Sequence, residues 1–528
     1  MKYRKKLAKR VTAWLVLGLF GMESALAVAA PILPDTNAPA SRKPLVQQTA
    51  NGIPLVQIAG PSAGGVSINQ YSNFNVPKEG AILNNSHTVV NTQLAGYIQG
   101  NPNIARGQAK IIVNEVTSTN PTALNGFLEV AGARASVVIA NPNGISVNGG
   151  GFINTAQAML TTGKPVYDSS NNLSRLHITG GTVSINGNGL DASQTDSVDI
   201  LARAVEVNAG VWANQANVIT GANDVNYADL KATAIAGQGE QPAVALDVAA
   251  IGGMYANKIT LVGTEKGLGV NVAGTVSATQ ALALDNDGSL HITKTGAMYS
   301  DDTLSVHTTG NVLNEQTLAS GGHAVIHAEQ GLTNTAVVGA GVSRDGRIEK
   351  TGTLTLHAPV ITNDKAQIVS DGDLTVAADR ISSKSGEFSS QANASLIVTN
   401  ELITDTGKVT AVGNLAIDAG SMPLTGIIAS GSDMSVTTRD SLLMCDKEAI
   451  EVQKILPFLS DTWPLCRIGR AVIRASQSCR QSCNKSQCPA CGCRSHHSCT
   501  HAPQFSRSFP AREWGSVLQR QGACGQCP

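Results

Sequence analysis

Val137-Val138-Ile139-Ala140-Asn141-Pro142-Asn143-Gly144-Ile145-Ser146-Val147-Asn148-Gly149-Gly150-Gly151-Phe152-Ile153-Asn154-Thr155 is the stretch from which the fold is read. A β-branched run ends at Ala140, and Asn141-Pro142-Asn143-Gly144 then turns the chain. Proline holds φ near about −65°, and Asn and Gly tolerate φ > 0, so the turn has a mechanism. Ile145-Ser146-Val147 alternates as a short strand, and Gly149-Gly150-Gly151 closes it as a corner.

Toward the C-terminus the same economy becomes a repeat. Apolar–x–apolar triplets recur at Leu282–Leu284, Leu304–Val306, Ala324–Ile326, Leu354–Leu356, Leu374–Val376, Leu396–Val398, Leu415–Ile417 and Met434–Val436. Their starts lie 22, 20, 30, 20, 22, 19 and 19 residues apart. Each triplet is a period-2 strand with two side chains facing inward. A period of about twenty marks a solenoid, because strands this short bury nothing alone. A β-sandwich would instead space its strands about 8–12 residues apart with hairpin turns. The expected fold is all-β, a right-handed parallel β-helix over residues 31–444 with a disordered C-terminal tail. At about 4.8 Å per coil, about twenty coils would make a rod on the order of 100 Å.

Composition agrees. The 528 residues include 53 glycines, with 4% aromatic and 14% charged residues. A formal net charge of zero conceals an asymmetry. Residues 31–444 hold 21 Lys and Arg against 32 Asp and Glu; residues 445–528 hold 11 against 5. An acidic body repels phosphates, which argues against a nucleic-acid partner.

The N-terminus reads as a signal peptide over residues 1–30. Lys2, Arg4, Lys5, Lys6, Lys9 and Arg10 precede the apolar run Val11 to Phe20. Ala25-Leu26-Ala27 is a small-residue cleavage site, with Ala27-Val28-Ala29 as a second. The apolar run is too short to span a bilayer. Residues 31–55 hold Pro31, Pro34, Pro39, Pro44 and Pro54 among polar residues and read as an extended linker.

Seven ordered blocks in the first half carry a family likeness. They are Val66-Ser67-Ile68-Asn69-Gln70-Tyr71 with Phe74-Asn75-Val76; Gly100-Asn101-Pro102-Asn103-Ile104; Ile111-Ile112-Val113-Asn114-Glu115-Val116 with Leu124-Asn125-Gly126; Asn141–Gly144; Leu160-Thr161-Thr162-Gly163; Met254-Tyr255-Ala256-Asn257-Lys258-Ile259; and Gly263-Thr264-Glu265-Lys266-Gly267-Leu268-Gly269-Val270. From about Val56 to Ala281 the chain resembles the secretion domain of filamentous-haemagglutinin-type exoproteins. These are the large adhesins and contact-dependent inhibition toxins exported by two-partner secretion in Gram-negative bacteria. Ile104 stands where the family often has Leu, a volume-conserving change.

The resemblance implies a route and a partner. An outer-membrane β-barrel transporter would recognise the unfolded chain in the periplasm. The β-helix would then fold coil by coil at the surface, each coil templating the next. The turns Asn101-Pro102-Asn103 and Asn141-Pro142-Asn143-Gly144 would be recognition or fold-nucleating positions, a role compatible with being coil corners. Residues 282–440 would continue as repeats of about twenty.

All ten cysteines lie at 445–527. A disulfide formed in the oxidising periplasm would make a loop that a narrow barrel could not thread, so a cysteine-free body suits export. Cys479, Cys483, Cys488, Cys491, Cys493 and Cys499, with His496, His497 and His501, do not space as two clean zinc-binding pairs. Charge sign and composition change near Asp440, so residues 441–528 are expected to be an atypical, disordered tail of a truncated family member. No metal, cofactor or catalytic residue is expected. Walker and His-Glu-x-x-His patterns do not occur. His307, His327 and His357 each follow the triplet of their coil by one position, which places them outward as a surface row. The expected function is that of a secreted haemagglutinin-like adhesin, reaching the cell surface or medium and meeting a receptor on a host or neighbouring cell. The alternative is the N-terminal delivery stalk of a contact-dependent toxin.

Overall fold

The structure is a computed structural model. It describes residues 31–105, 107–343, 351–424 and 426–444, with two further strands at Ile450–Val452 and Val472–Ala475. The expected cleavage residues Ala25 and Ala27, the ten cysteines and nearly all of the tail lie outside the described residues.

The chain forms a parallel β-solenoid of about 14 turns. Each coil passes through three faces in order. In the coil that opens at Thr303 these are Thr303–Thr308, Asn311–Asn314 and Thr317–Ser320. Each strand pairs in parallel register with the same face of the next coil, so 303–308 meets His323–Ala328 and 317–320 meets Val337–Ala340. Inward side chains merge into one core running from Ile32 to Val436. Strands of three to six residues suffice because each borrows its hydrogen bonds and half its packing from the coils on either side.

The triplets are the inward pairs of the first face. Leu282, Leu304, Ala324, Leu354 and Leu374 stand in one register row. Leu374 then meets Ala394, which meets Leu415, while Leu396 is partner to Val376 and Ile417. The repeat of that coil is therefore Ala394–Leu396, two residues before the expected Leu396–Val398. The 30-residue step is an ordinary coil with an insertion after Ala340. There, Val342 packs on Tyr299 and Ala319 outside the third face.

The expected twenty coils and 100 Å do not hold. About 14 turns make a rod of roughly 65 Å at about 4.8 Å per strand. The missing length lies outside the coils. A hairpin, Val90–Thr92 and Gly96–Ile98, leaves the rod between the third face and the first. An antiparallel sheet of four strands, Lys164–Tyr167, Leu173–Ile178, Asn223–Asn226 and Ala232–Ala234, leaves it twice. Its Leu173, Leu176, Ile178 and Val225 cover the outward side chains Ile68, Val113, Val138 and Met159 of the first face, forming a second core.

The stretch read as a linker is a cap. Ile32–Pro34 pairs antiparallel with the strand Val66–Phe74, and Ile32 is fully buried. Leu45–Gln48 forms an antiparallel pair with Pro54–Gln57, which stacks on Ala81–Asn85. A solenoid end otherwise exposes its core and a row of unpaired backbone groups, so residues 31–57 are drawn onto it. At the other end the ladders run past residue 440: Met434–Met444, Ile450–Val452 and Val472–Ala475 continue the faces. The boundary expected at 281/282 falls inside the continuous strand Thr275–Asn286.

Polar rungs fill the corners of the regular coils. Asn314 donates from Nδ2 to Asn334 Oδ1 at 2.8 Å, and Asn334 to Asn363 Oδ1 at 2.8 Å, all three fully buried. Ser320, Ser370, Ser390 and Ser430 each donate from Oγ to a carbonyl of the preceding coil, at 2.7, 2.8, 2.8 and 2.8 Å.

Candidate functional site

The two Asn-Pro-Asn turns share one design. Asn141 directly follows the first-face strand Ala135–Ala140 and is fully buried. Its Oδ1 accepts the Asn143 backbone N–H at 3.0 Å, closing an Asx turn. Its Nδ2 donates to Asn120 O and Thr122 Oγ1, both at 2.9 Å, on the coil before. Asn143 is exposed at the tip and donates from Nδ2 to Ser118 O at 2.8 Å. Asn101 repeats the pattern. Its Oδ1 accepts the Asn103 backbone N–H at 2.9 Å, and its Nδ2 donates to Ile58 O and Asn84 O at 3.0 and 2.9 Å. Pro102 opens the 3-10 turn Pro102–Ile104, and Ile104 is buried beneath it. Pro102 is exposed and Pro142 half-buried.

In each motif the first asparagine is a rivet between coils, and the second is a surface group. Neither uses the left-handed backbone that the sequence suggested for asparagine; only Gly144 does, at φ +107°. A Cβ there would also meet Thr182 O at 3.1 Å. The two motifs do not converge. Asn101 lies on the way from the third face to the first, and Asn141 between the first and second.

Two charged clamps escaped the sequence reading. Arg203 and Glu265 form a bidentate pair, Nη2 to Oε1 at 2.7 Å and Nε to Oε2 at 3.0 Å, with side chains only 6% and 14% exposed. Arg203 also donates to Gln238 O and Glu240 O, fixing the loop that returns from the outer sheet. The hydrogen bonds from Arg203 hold the Glu265 carboxyl below the ordinary range. Glu129 accepts the backbone N–H groups of Gln93 and Leu94 at 2.8 and 2.9 Å and pins the first hairpin. Glu265 sits in one of the family blocks, but no local pattern announces its distant partner.

The histidine row is as expected. His307, His327 and His357 stand in register, with ring centroids 5.2 and 4.6 Å apart. The hydrogen bond that His307 Nδ1 donates to Asp285 Oδ1 at 2.8 Å raises the pKa of His307, and Glu329 adds to it. Burial lowers that of His327, and His357 and His307 add to the effect. Among the described residues no group of three or more His, Cys, Asp or Glu side chains is placed to hold a metal ion.

Residues 30–292 match the model of the TPS secretion domain, which takes in the N-terminal cap as well as the expected domain. The chain is 46% identical over 277 residues to the tRNA nuclease CdiA-2 of Burkholderia pseudomallei, covering 51% of this chain and 9% of that protein. It is 38% identical over 415 residues to the 16S rRNA endonuclease CdiA of Enterobacter cloacae, covering 78% and 11%. It thus spans about a tenth of the length of these relatives. It is 33% identical to the solved filamentous hemagglutinin secretion domain, covering 57% of this chain and 95% of that one with a TM-score of 0.47. The chain belongs to the family of two-partner-secreted exoproteins that carry the TPS secretion domain.

Proposed function

We propose that this chain leaves a Gram-negative cell through the periplasm and an outer-membrane β-barrel transporter, and that it works outside as a non-catalytic adhesive rod. The match of residues 30–292 to the TPS secretion domain carries this reading. The fold suits the route, because each coil finds its hydrogen-bond partners on the coil already formed. Asn103, Asn143 and Pro102, which the folded rod leaves largely unburied, are the groups assigned to recognition, read in the chain before it folds, and the buried Asn101 and Asn141 are assigned to the fold.

Expression with and without the cognate transporter tests the route. Secreted protein should require both the transporter and residues 1–30. Efficient appearance in the medium without an outer-membrane partner would overturn it. Substituting Asn103 and Asn143 together should reduce secretion while the purified protein keeps its melting curve; an unchanged secretion rate removes the recognition role.

The names of the relatives favour a second reading. Those proteins are described as nucleases, and this chain matches about a tenth of their length. On that reading the rod is the delivery stalk of a contact-dependent toxin. Binding of the purified rod to target cells separates the two: an adhesive rod binds by itself, and a passive stalk does not.

A further inference from the structure

One register row on the outside of the third face runs Phe127, Gly151, Asp191, Trp212, Tyr255, Ser277, Tyr299. The aromatic residues on it differ in what covers them. Tyr299 is buried beneath Val342 of the insertion. Trp212 and Tyr255 are 44% and 38% exposed, uncommon for side chains of this size in a chain with 4% aromatics. Their rings are nearly parallel, at 17°, with centroids 6.5 Å apart.

Glycines set that attitude. A Cβ built on Gly210 would collide with the Trp212 ring, and one on Gly253 with the Tyr255 ring. Gly210 and Gly253 are themselves register partners. Each ring therefore folds back over the bare backbone of its own strand, and much of its surface is left to solvent. Asp191 flanks the pair on one side and Ser277 on the other. Asp191 Oδ1 accepts from Ser193 N–H and Oγ at 3.0 and 2.6 Å, and its second carboxylate oxygen is a further acceptor beside the pair.

We propose that Trp212 and Tyr255 form a binding platform for a neutral pyranose sugar. A pyranose presents a face of weakly positive C–H groups inside a rim of hydroxyls. The negative faces of aromatic rings attract the C–H groups, and an acceptor and a hydroxyl at the edge take the rim. An exposed ring pair on the outside of the rod does not enclose an apolar ligand, which needs a concave site. The Asp191 carboxylate and the acidic body, 32 acidic against 21 basic residues over 31–444, select against sialylated or sulfated glycans and against nucleic acid.

The test uses the full secreted chain and is independent of the export reading, which is scored by secretion and not by sugar binding. Calorimetric titration with methyl glucoside, methyl galactoside and a chitin disaccharide should show binding of at least one, with sialyllactose weaker. W212A/Y255A should weaken that binding by about tenfold or more while the melting curve is unchanged. If that variant does not fold, W212F, with its smaller ring, supplies the same comparison. Asp191→Asn should weaken binding less. Absence of binding to all neutral probes, equal binding by the platform variants, or preference for sialyllactose would each overturn the proposal.

Discussion

Between Pro31 and Leu268 the solenoid is repeatedly interrupted; between Val270 and Met444 it mostly repeats itself. The first region spends residues on a cap, a hairpin and an outer sheet, and fastens them with single charged clamps such as Arg203–Glu265 and Glu129. The second spends almost none outside the coils and fastens itself with small rungs, Asn314–Asn334–Asn363 and the serines. Damage should therefore spread differently. One lost clamp in the first region releases a layer. One lost rung in the second should loosen only its neighbours, since a solenoid's cooperativity runs between adjacent repeats.

The largest effect is expected for Arg203→Ala. It leaves the Glu265 carboxylate buried without its partner, a loss of about 3–5 kcal/mol. Hydrogen exchange should accelerate through Asn223–Asn226, Ala232–Ala234 and the loop at Gln238. Unchanged protection there would show that the outer sheet holds without the clamp.

Asn334→Ala should cost about 2–3 kcal/mol, because the carbonyls of Ala336 and Gln367 and the amide oxygen of Asn363 lose a buried donor. Exchange should rise in the adjoining coils, near residues 311–340 and 360–370. Loss of protection as far as Val113 would break the contrast between the regions.

The asparagine turns sharpen it within one motif. Asn141→Ala removes two inter-coil hydrogen bonds and the Asx turn, and should destabilise by about 2 kcal/mol; Asn143→Ala, at the surface, should cost less than about 1 kcal/mol. Equal denaturant midpoints for the two variants would refute the division into rivet and surface group.

Acid should distinguish the regions by sign. Glu265 has a lowered folded pKa, so its stability is present above the ordinary value of 4.5 and lost as pH falls through the folded one. The histidine row works against itself near 6.5. His307, with its pKa raised, stabilises below that value and loses this as pH rises through the folded pKa. His327, with its pKa lowered, stabilises above it and loses this as pH falls. Protection of the outer sheet should thus fall below about pH 4.5, while the histidine coils change little overall. H307A and H327A should shift the pH dependence of local exchange in opposite directions; shifts of the same sign would contradict the pairing with Asp285.

The sequence by itself determined the repeat and the family. An apolar–x–apolar triplet is local information, and its recurrence every twenty residues leaves stacking as the way to bury it. The Asn-Pro-Asn corners were legible for the same reason, since turn chemistry lies within four residues. Tertiary structure decided what lies across the coils. The prolines of residues 31–55 resemble those of a linker, and only the open end of the rod makes them a cap. The register of Ala394–Leu396 was set by neighbours above and below, not by its own residues. The outer sheet left one trace, in the stretch that opened the reading: Val137 and Ile139 face the inner core, and Val138 faces the second one. A strand apolar on both sides must be covered on both sides. Which segment covers it depends on partners 40 or more residues away, as Arg203 and Glu265 do, 62 residues apart. No local pattern can encode such a distance, because the contact exists only after the coils between have been folded.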